Sequence, residues 1–236
     1  MAKSIGYIIQ NDYVEKRFFK TFIKALPLGE SLNLCEDVKF AHSQSNPVCT
    51  GFLIENDVMV SAGHCFQTED DCLNKKIIFD VDSNKQRETG FLVNSSNVYS
   101  CKTILAQSLD GESDYSIIKL DRVAKNRTPL KLNRNRSIEL SDQVFMLGHP
   151  FGLPLVLSQK TSILENLQSH IFKTPLDSFE GNSGSPVINA KTFLVEGILI
   201  SGQEDLVQDS EKLCYRNKEH TSGGEGVFRA SELPSL

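Results

Sequence analysis

Residues 48–65 read VCTGFLIENDVMVSAGHC. Two short apolar runs, TGFLI and VMVSAG, flank the polar triplet END. Runs of this length, rich in β-branched and aromatic residues and closed by Gly, Asn, Asp or Ser, are the signature of strands. The alternation continues along the chain in KKIIFDV, TGFLVN, DYSIIKL, QVFMLG, LPLVL, SPVIN and LVEGILI, with turn residues between the runs. This spacing predicts an all-β sandwich or barrel. At 236 residues the chain can be one long domain or two compact halves sharing a cleft. The polar, proline-containing link RTPLKLNRNRSIELSDQ (127–143) is a candidate midpoint.

Composition narrows the function. Hydrophobic residues make up 39% and charged residues 23%, enough for a packed core. Net charge is −5 and no long basic run stands out, so nucleic acid is a poor partner. No stretch approaches the roughly 18 apolar residues that a membrane span needs. The six cysteines, Cys35, Cys49, Cys65, Cys72, Cys101 and Cys214, form no C-x-x-C pair. An even count without metal-like clustering favours disulfides, hence a secreted or periplasmic protein, and no metal or cofactor is expected. The opening MAKSIGYIIQ is not a secretory signal, so an exported protein would have lost its signal and gained Met1.

Residues 1–44 read as an N-terminal arm, ahead of units at 45–135 and 136–236. In YVEKRFFKTFIKAL (13–26), Val14, Phe18, Phe19, Phe22, Ile23 and Leu26 fall near helical spacing, with Lys16, Arg17, Lys20 and Lys24 between them. This predicts a short helix or extended arm packed on the body. A basic membrane-surface helix fits less well, since the stretch is short.

The chemistry centres on DSFEGNSGSPV (177–187). Glycines bracket Asn182-Ser183, which lets a substrate carbonyl approach the backbone closely. The N–H groups of Gly181 and Ser183 are then candidate oxyanion donors. A serine nucleophile needs a base, and the base needs an orienting group. Of the five histidines, His64 ends the apolar run VMVSAGHC. Asp114 opens DYSIIKL, where a buried strand would anchor its carboxylate under an imidazole.

SAGHC, DYSIIKL and DSFEGNSGSPV together resemble the three catalytic blocks of the trypsin/chymotrypsin-like serine peptidases, in that family's order. GNSGSPV with TGFLI resembles the bacterial glutamyl-endopeptidase-like branch more than the animal digestive enzymes. The resemblance runs from about Cys49 to Gly202. It implies two Greek-key antiparallel β-barrels of the chymotrypsin type, with the active site in the cleft between them. It implies a serine endopeptidase acting on proteins or peptides through His64, Asp114 and Ser183. It also implies a disulfide between Cys49 and Cys65. Cys72 with Cys101, and Cys35 with Cys214, are further candidate pairs that no motif fixes. Asn182 stands where enzymes activated by cleavage carry an Asp, which argues against that mode of activation. His149, in GHPFGLP, resembles a structural turn of bacterial relatives.

The same resemblance bears on specificity. Asp177, six residues before Ser183, would be the base of the primary pocket and would favour Arg or Lys before the scissile bond. Ile200-Ser201-Gly202 matches the pocket wall, and Gly202 would leave the pocket open to a long side chain. Leu199 stands near the position where glutamyl endopeptidases carry a His, which weighs against cleavage after Glu. Phe179 replaces a pocket cysteine, and the segment 203–226 is longer than the family's usual loop.

Three alternatives stand beside this reading, the first on the same fold and chemistry. Glutamyl-type or small-residue specificity would need only another use of Asp177. An α/β-hydrolase ordered Ser183, Asp205 or Asp209, His220 fails at the nucleophile elbow, where Ser185 replaces the required Gly. A non-catalytic binding module on the same fold would keep the blocks without the reaction.

Overall fold

The computed structural model describes residues 1–134, 138–218 and 224–235; His220 lies outside them. The fold is all-β, with two short α-helices among the described residues, Leu28–Leu32 and Glu69–Asn74. The first unit is a closed antiparallel barrel. Around it run Ile5–Gln10, Cys49–Leu53, Val58–Ser61, Asp114–Leu120, Val98–Leu109 and Lys75–Phe79, and the last pairs back onto the first. The run opened by residues 48–65 is a hairpin of this barrel, with Phe52 opposite Val60 and Leu53 opposite Met59. The second unit is a seven-stranded sheet centred on Gln143–Gly148, Pro186–Asn189, Val195–Ser201 and Glu225–Arg229.

The N-terminal segment expected to pack on the body is woven into it: Ile5–Gln10 is a barrel strand bonded on both sides and buried through Ile9. The stretch read as a short helix or extended arm is not helical; it is a β-hairpin, Val14–Arg17 with Lys20–Lys24, turning at Phe18-Phe19. Lys20–Lys24 also pairs with Gly90–Asn94, and Ile23 packs into a cluster with Tyr7, Ile78 and Phe91. A helix here would forgo those long-range pairings, and tertiary context overrides an ambiguous short period.

Three apolar clusters hold the units. One fills the barrel around Met59, Phe66, Phe79 and Ile118. One lies in the second unit around Val144, Phe172, Val187 and Val227. The third joins the units: Phe52, Val60 and Ile117 of the barrel meet Phe145, Ile188, Ile198 and Phe228. Each large side chain buried there contributes about 1.5–3 kcal/mol, so the join is a core rather than a hinge.

The three disulfides are Cys35–Cys214, Cys49–Cys65 and Cys72–Cys101. The helix Glu69–Asn74, which carries Cys72, starts at a capping box. Asp71 N–H donates to Thr68 Oγ1, and Asp71 Oδ2 accepts from Thr68 N–H.

Candidate active site

Strand Val58–Ser61 is wholly buried, and its end delivers the chain into a tight turn, Gly63–Cys65, that presents His64. Strand Asp114–Leu120 pairs with it, Ser116 opposite Ser61, so Asp114 lies at the same end. Ser116 Oγ–H donates to the Ala62 carbonyl (2.9 Å) and pins the two strand ends together. Asp114 then holds His64 twice. Its Oδ1 accepts the His64 backbone N–H at 3.0 Å, and its Oδ2 faces His64 Nδ1 at 2.8 Å. A carboxylate only accepts, so Nδ1 carries a proton, and in the neutral ring Nε2 is the bare nitrogen. The Asp114 side chain is 15% exposed against 34% for His64, so the anion sits behind the ring.

Ser183 comes from the second unit. Its carbonyl accepts the Thr50 N–H (2.8 Å), and the next N–H, of Gly184, donates to the Leu199 carbonyl (2.8 Å). The serine turn is thereby clamped between a barrel strand and a sheet strand. Gly184 has φ +88°, and a methyl there would strike the Thr50 carbonyl and Ser61 Oγ, so only glycine serves. Ser183 also borders the Cys49–Cys65 bridge, with its carbonyl 4.0 Å from Cys65 Sγ. The two sulfurs and a ring nitrogen of His64 lie within 4.8 Å of one another. Ser183 and His64 thus flank one disulfide, although no hydrogen bond joins Ser183 Oγ to His64 among the described residues. Because the sulfurs are bonded to each other, this trio offers no thiolate for a metal.

The turn 179–185 uses its backbone unevenly. Asn182 N–H donates to the Phe179 carbonyl and Ser185 N–H to the Asn182 carbonyl. The N–H groups of Gly181 and Ser183 donate to no protein acceptor among the described residues. Thr50, fully buried, fixes this geometry: its Oγ1–H donates to the Gly181 carbonyl (2.8 Å) and accepts the His149 backbone N–H (3.1 Å). Sequence reasoning passed over Thr50; the available signal was a hydroxyl inside an apolar strand, next to Cys49.

His149 is also buried. Its Nδ1–H donates to the Leu153 carbonyl (3.0 Å), and its ring meets Tyr7 edge to face at 4.9 Å. Burial pushes its pKa down to about 4, with the Leu153 bond partly opposing. Tyr7 O–H donates to the Gly152 carbonyl, and burial raises its pKa.

The two residues expected at the specificity pocket, Asp177 and Gly202, both lie at the surface. Asp177 is exposed and makes no hydrogen bond or ion pair among the described residues. Gly202 is exposed too, and lies against the carboxylate of Glu225, a buried residue.

A barrel and a second β-sheet, with a histidine–carboxylate pair on one and a glycine-framed serine on the other, define a serine peptidase architecture. The trypsin-like peptidase domain matches residues 49–198, and the chain belongs to that family. It is a serine protease of the trypsin-like class, a hydrolase. Among solved structures, it is similar to a Glu endopeptidase in complex with MPD: TM-score 0.59, 13% identity, 98% of this chain and 86% of that one. It is also similar to Rv3671c from M. tuberculosis H37Rv, a mutant in an inactive form: TM-score 0.53, 13% identity, 98% and 83% coverage. At such identities the likeness shows the shared fold.

Proposed function

We propose that this protein is a serine endopeptidase that works through His64, Asp114 and Ser183 and favours Arg or Lys before the scissile bond. The observation that carries the reading is the 2.8 Å contact between His64 Nδ1 and Asp114 Oδ2, which leaves Nε2 free to take a proton. Ser183 Oγ gives that proton to Nε2 as it attacks the peptide carbonyl. Asp114 holds the tautomer and stabilises the imidazolium. The N–H groups of Gly181 and Ser183 receive the oxyanion, each contributing roughly 3 kcal/mol. The imidazolium then protonates the leaving amine, and water resolves the acyl-enzyme. In this reading residues 45–135 and 136–236 act as two lobes, with Ile5–Gln10 completing the first.

The basic preference is supported by two carboxylates near the serine turn, exposed Asp177 and buried Glu225, which accepts the hydroxyl of the adjacent Ser178, and by Gly202, which carries no side chain. Buried, apolar Leu199 supplies no cation to hold a glutamate substrate. Cleavage of an unbiased peptide library, with Ser183→Ala as control, tests the whole. Cuts after Arg and Lys are expected, with kcat lower by roughly 10⁶-fold in Ser183→Ala and roughly 10⁴-fold in Asp114→Asn. Cleavage surviving in Ser183→Ala would remove the triad. Cuts after Glu or small residues would keep the triad and remove the basic preference.

A further inference from the structure

Glu225 opens the strand Glu225–Arg229 and is 5% exposed. Its Oε2 accepts the Ser178 hydroxyl, five residues before Ser183 on the same segment. On the other side lies Gly202, where an added methyl would stand 2.5 Å from Oε2. Gly202 directly follows the strand Val195–Ser201, whose Leu199 is bonded to both Gly184 and Ser185. The carboxylate therefore sits between the two chain segments that diverge from Ser183, 178–183 and 199–202. Asp177 stays outside this frame, exposed to water.

Resting on the basic preference proposed above, we infer that Glu225, and not Asp177, is the carboxylate that receives the Arg or Lys side chain. A buried anion forms a far stronger charge-assisted bond than one in water. Ser178, already donating to Oε2, fixes its direction. A side chain at Gly202 would collide with this carboxylate, so glycine there is what lets Glu225 face the segment that leads to Ser183. The order of the sequence hides this role, because Glu225 lies 42 positions after Ser183 by number and reaches the site only through the pairing of its strand, with Glu225 opposite Thr174 and the next residue, Gly226, opposite Ser201.

The test is kcat/KM for matched peptides with Arg, Lys, Gln or Ala before the scissile bond, alongside fluorophosphonate labelling of Ser183. Glu225→Gln is expected to lower the Arg and Lys values about 100-fold, to leave Gln and Ala values within about threefold, and to label like the parent. Glu225→Asp keeps the charge one carbon further back, so Arg should survive better than Lys. Asp177→Asn should change little. Loss in Asp177→Asn with none in Glu225→Gln would overturn the assignment. So would equal loss of all four substrates and of labelling in both Glu225 variants, which marks a structural role. A parent enzyme that labels but never cuts after Arg or Lys would overturn the basic preference itself. One that neither labels nor cuts would overturn the catalytic reading.

A second observation stands apart from the site. Phe18 and Phe19, at the hairpin turn, are 102% and 90% exposed. Arg17 and Lys20 face each other directly across the hairpin, an arrangement that disfavours pairing. The groove beside Phe18 is lined by Lys16, Lys76, Arg122 and Ser100, with Asp121 pairing Arg122. An apolar tip beside a cationic groove, on a chain of net charge −5, suits a partner that is both apolar and anionic. We propose that the hairpin docks on anionic lipid, with the two rings in the headgroup–acyl boundary and phosphates in the groove.

Flotation with vesicles of phosphatidylcholine alone, or mixed with phosphatidylglycerol, tests this. Binding to the mixed vesicles only, weakened by salt, is expected. Phe18→Ser with Phe19→Ser should lower it at least about tenfold with peptidase activity retained. No binding, binding indifferent to phosphatidylglycerol, or binding unchanged in the variant would overturn it. So would a parent dimer that the variant dissolves in sedimentation, which assigns the tip to a second copy.

Discussion

His149 shows what a single buried side chain does to pH behaviour. The ring is neutral in the fold, with a pKa of about 4, while an unfolded histidine titrates near 6.5. Between these values the unfolded chain binds the extra proton, so stability falls as pH drops. The neutral ring's contribution is whole above about pH 6.5 and is lost by about pH 4, for a total of about 3 kcal/mol. Denaturant midpoints measured across that window should slope accordingly. His149→Gln should flatten the slope while costing about 1–2 kcal/mol at neutral pH through the lost Leu153 bond and Tyr7 contact. Residues of this kind were partly legible. The serine, histidine and aspartate blocks each carry a local motif, and the proposed roles began there. Thr50 and Glu225 carry none, because what they touch is set by strand pairing over long separations.

At the level of elements, the hairpin Leu206–Asp209 with Cys214–Asn217 is tied to the N-terminal segment. Cys35 is bonded to Cys214 across 179 positions, Leu34 bridges Tyr215, and Arg216 pairs with Asp37 and Asp209. Just before the hairpin, Asp205 accepts the Glu180 N–H at 2.7 Å, next to Gly181. Exposed ion pairs such as those of Arg216 add little, so the disulfide dominates. Closing so long a loop is worth up to roughly 5 kcal/mol in the chain-entropy account. Cys35→Ser with Cys214→Ser should lower thermal stability by a large part of that and reduce kcat/KM, as the Glu180–Asp205 anchor loosens. Calorimetry and peptide hydrolysis on the same samples would check both. The strands after residue 47 were readable because their runs are short, apolar and punctuated. The hairpin 14–24 was not, because alternating lysines and aromatics fit a helical stripe as well as a pleat, and only Phe91 and Tyr7 on distant strands decide between them.

For the whole molecule, the cluster around Phe52, Ile117 and Phe228 makes each unit's core depend on the other. Phe228→Ala should cost about 3–5 kcal/mol and lower the stability of the entire chain in one transition, followed by two independent spectroscopic probes. Two-barrel symmetry was implied by resemblance. The closure of the first barrel by Ile5–Gln10 was not visible, since an N-terminal strand carries no sign of a partner 40 or more residues away, such as Cys49–Leu53.

His64 and Asp114 belong to one unit and Ser183 to the other, and only their join brings Ser183 beside the disulfide that His64 borders. On the proposed triad, a newly made chain with a single unit formed holds either a base without a nucleophile or a nucleophile without a base. Such an intermediate cannot digest its neighbours, so the fold itself acts as a safety catch during synthesis. Refolding followed by fluorophosphonate labelling should therefore recover reactivity only with the last structural phase, and labelling that runs ahead of that phase would contradict it.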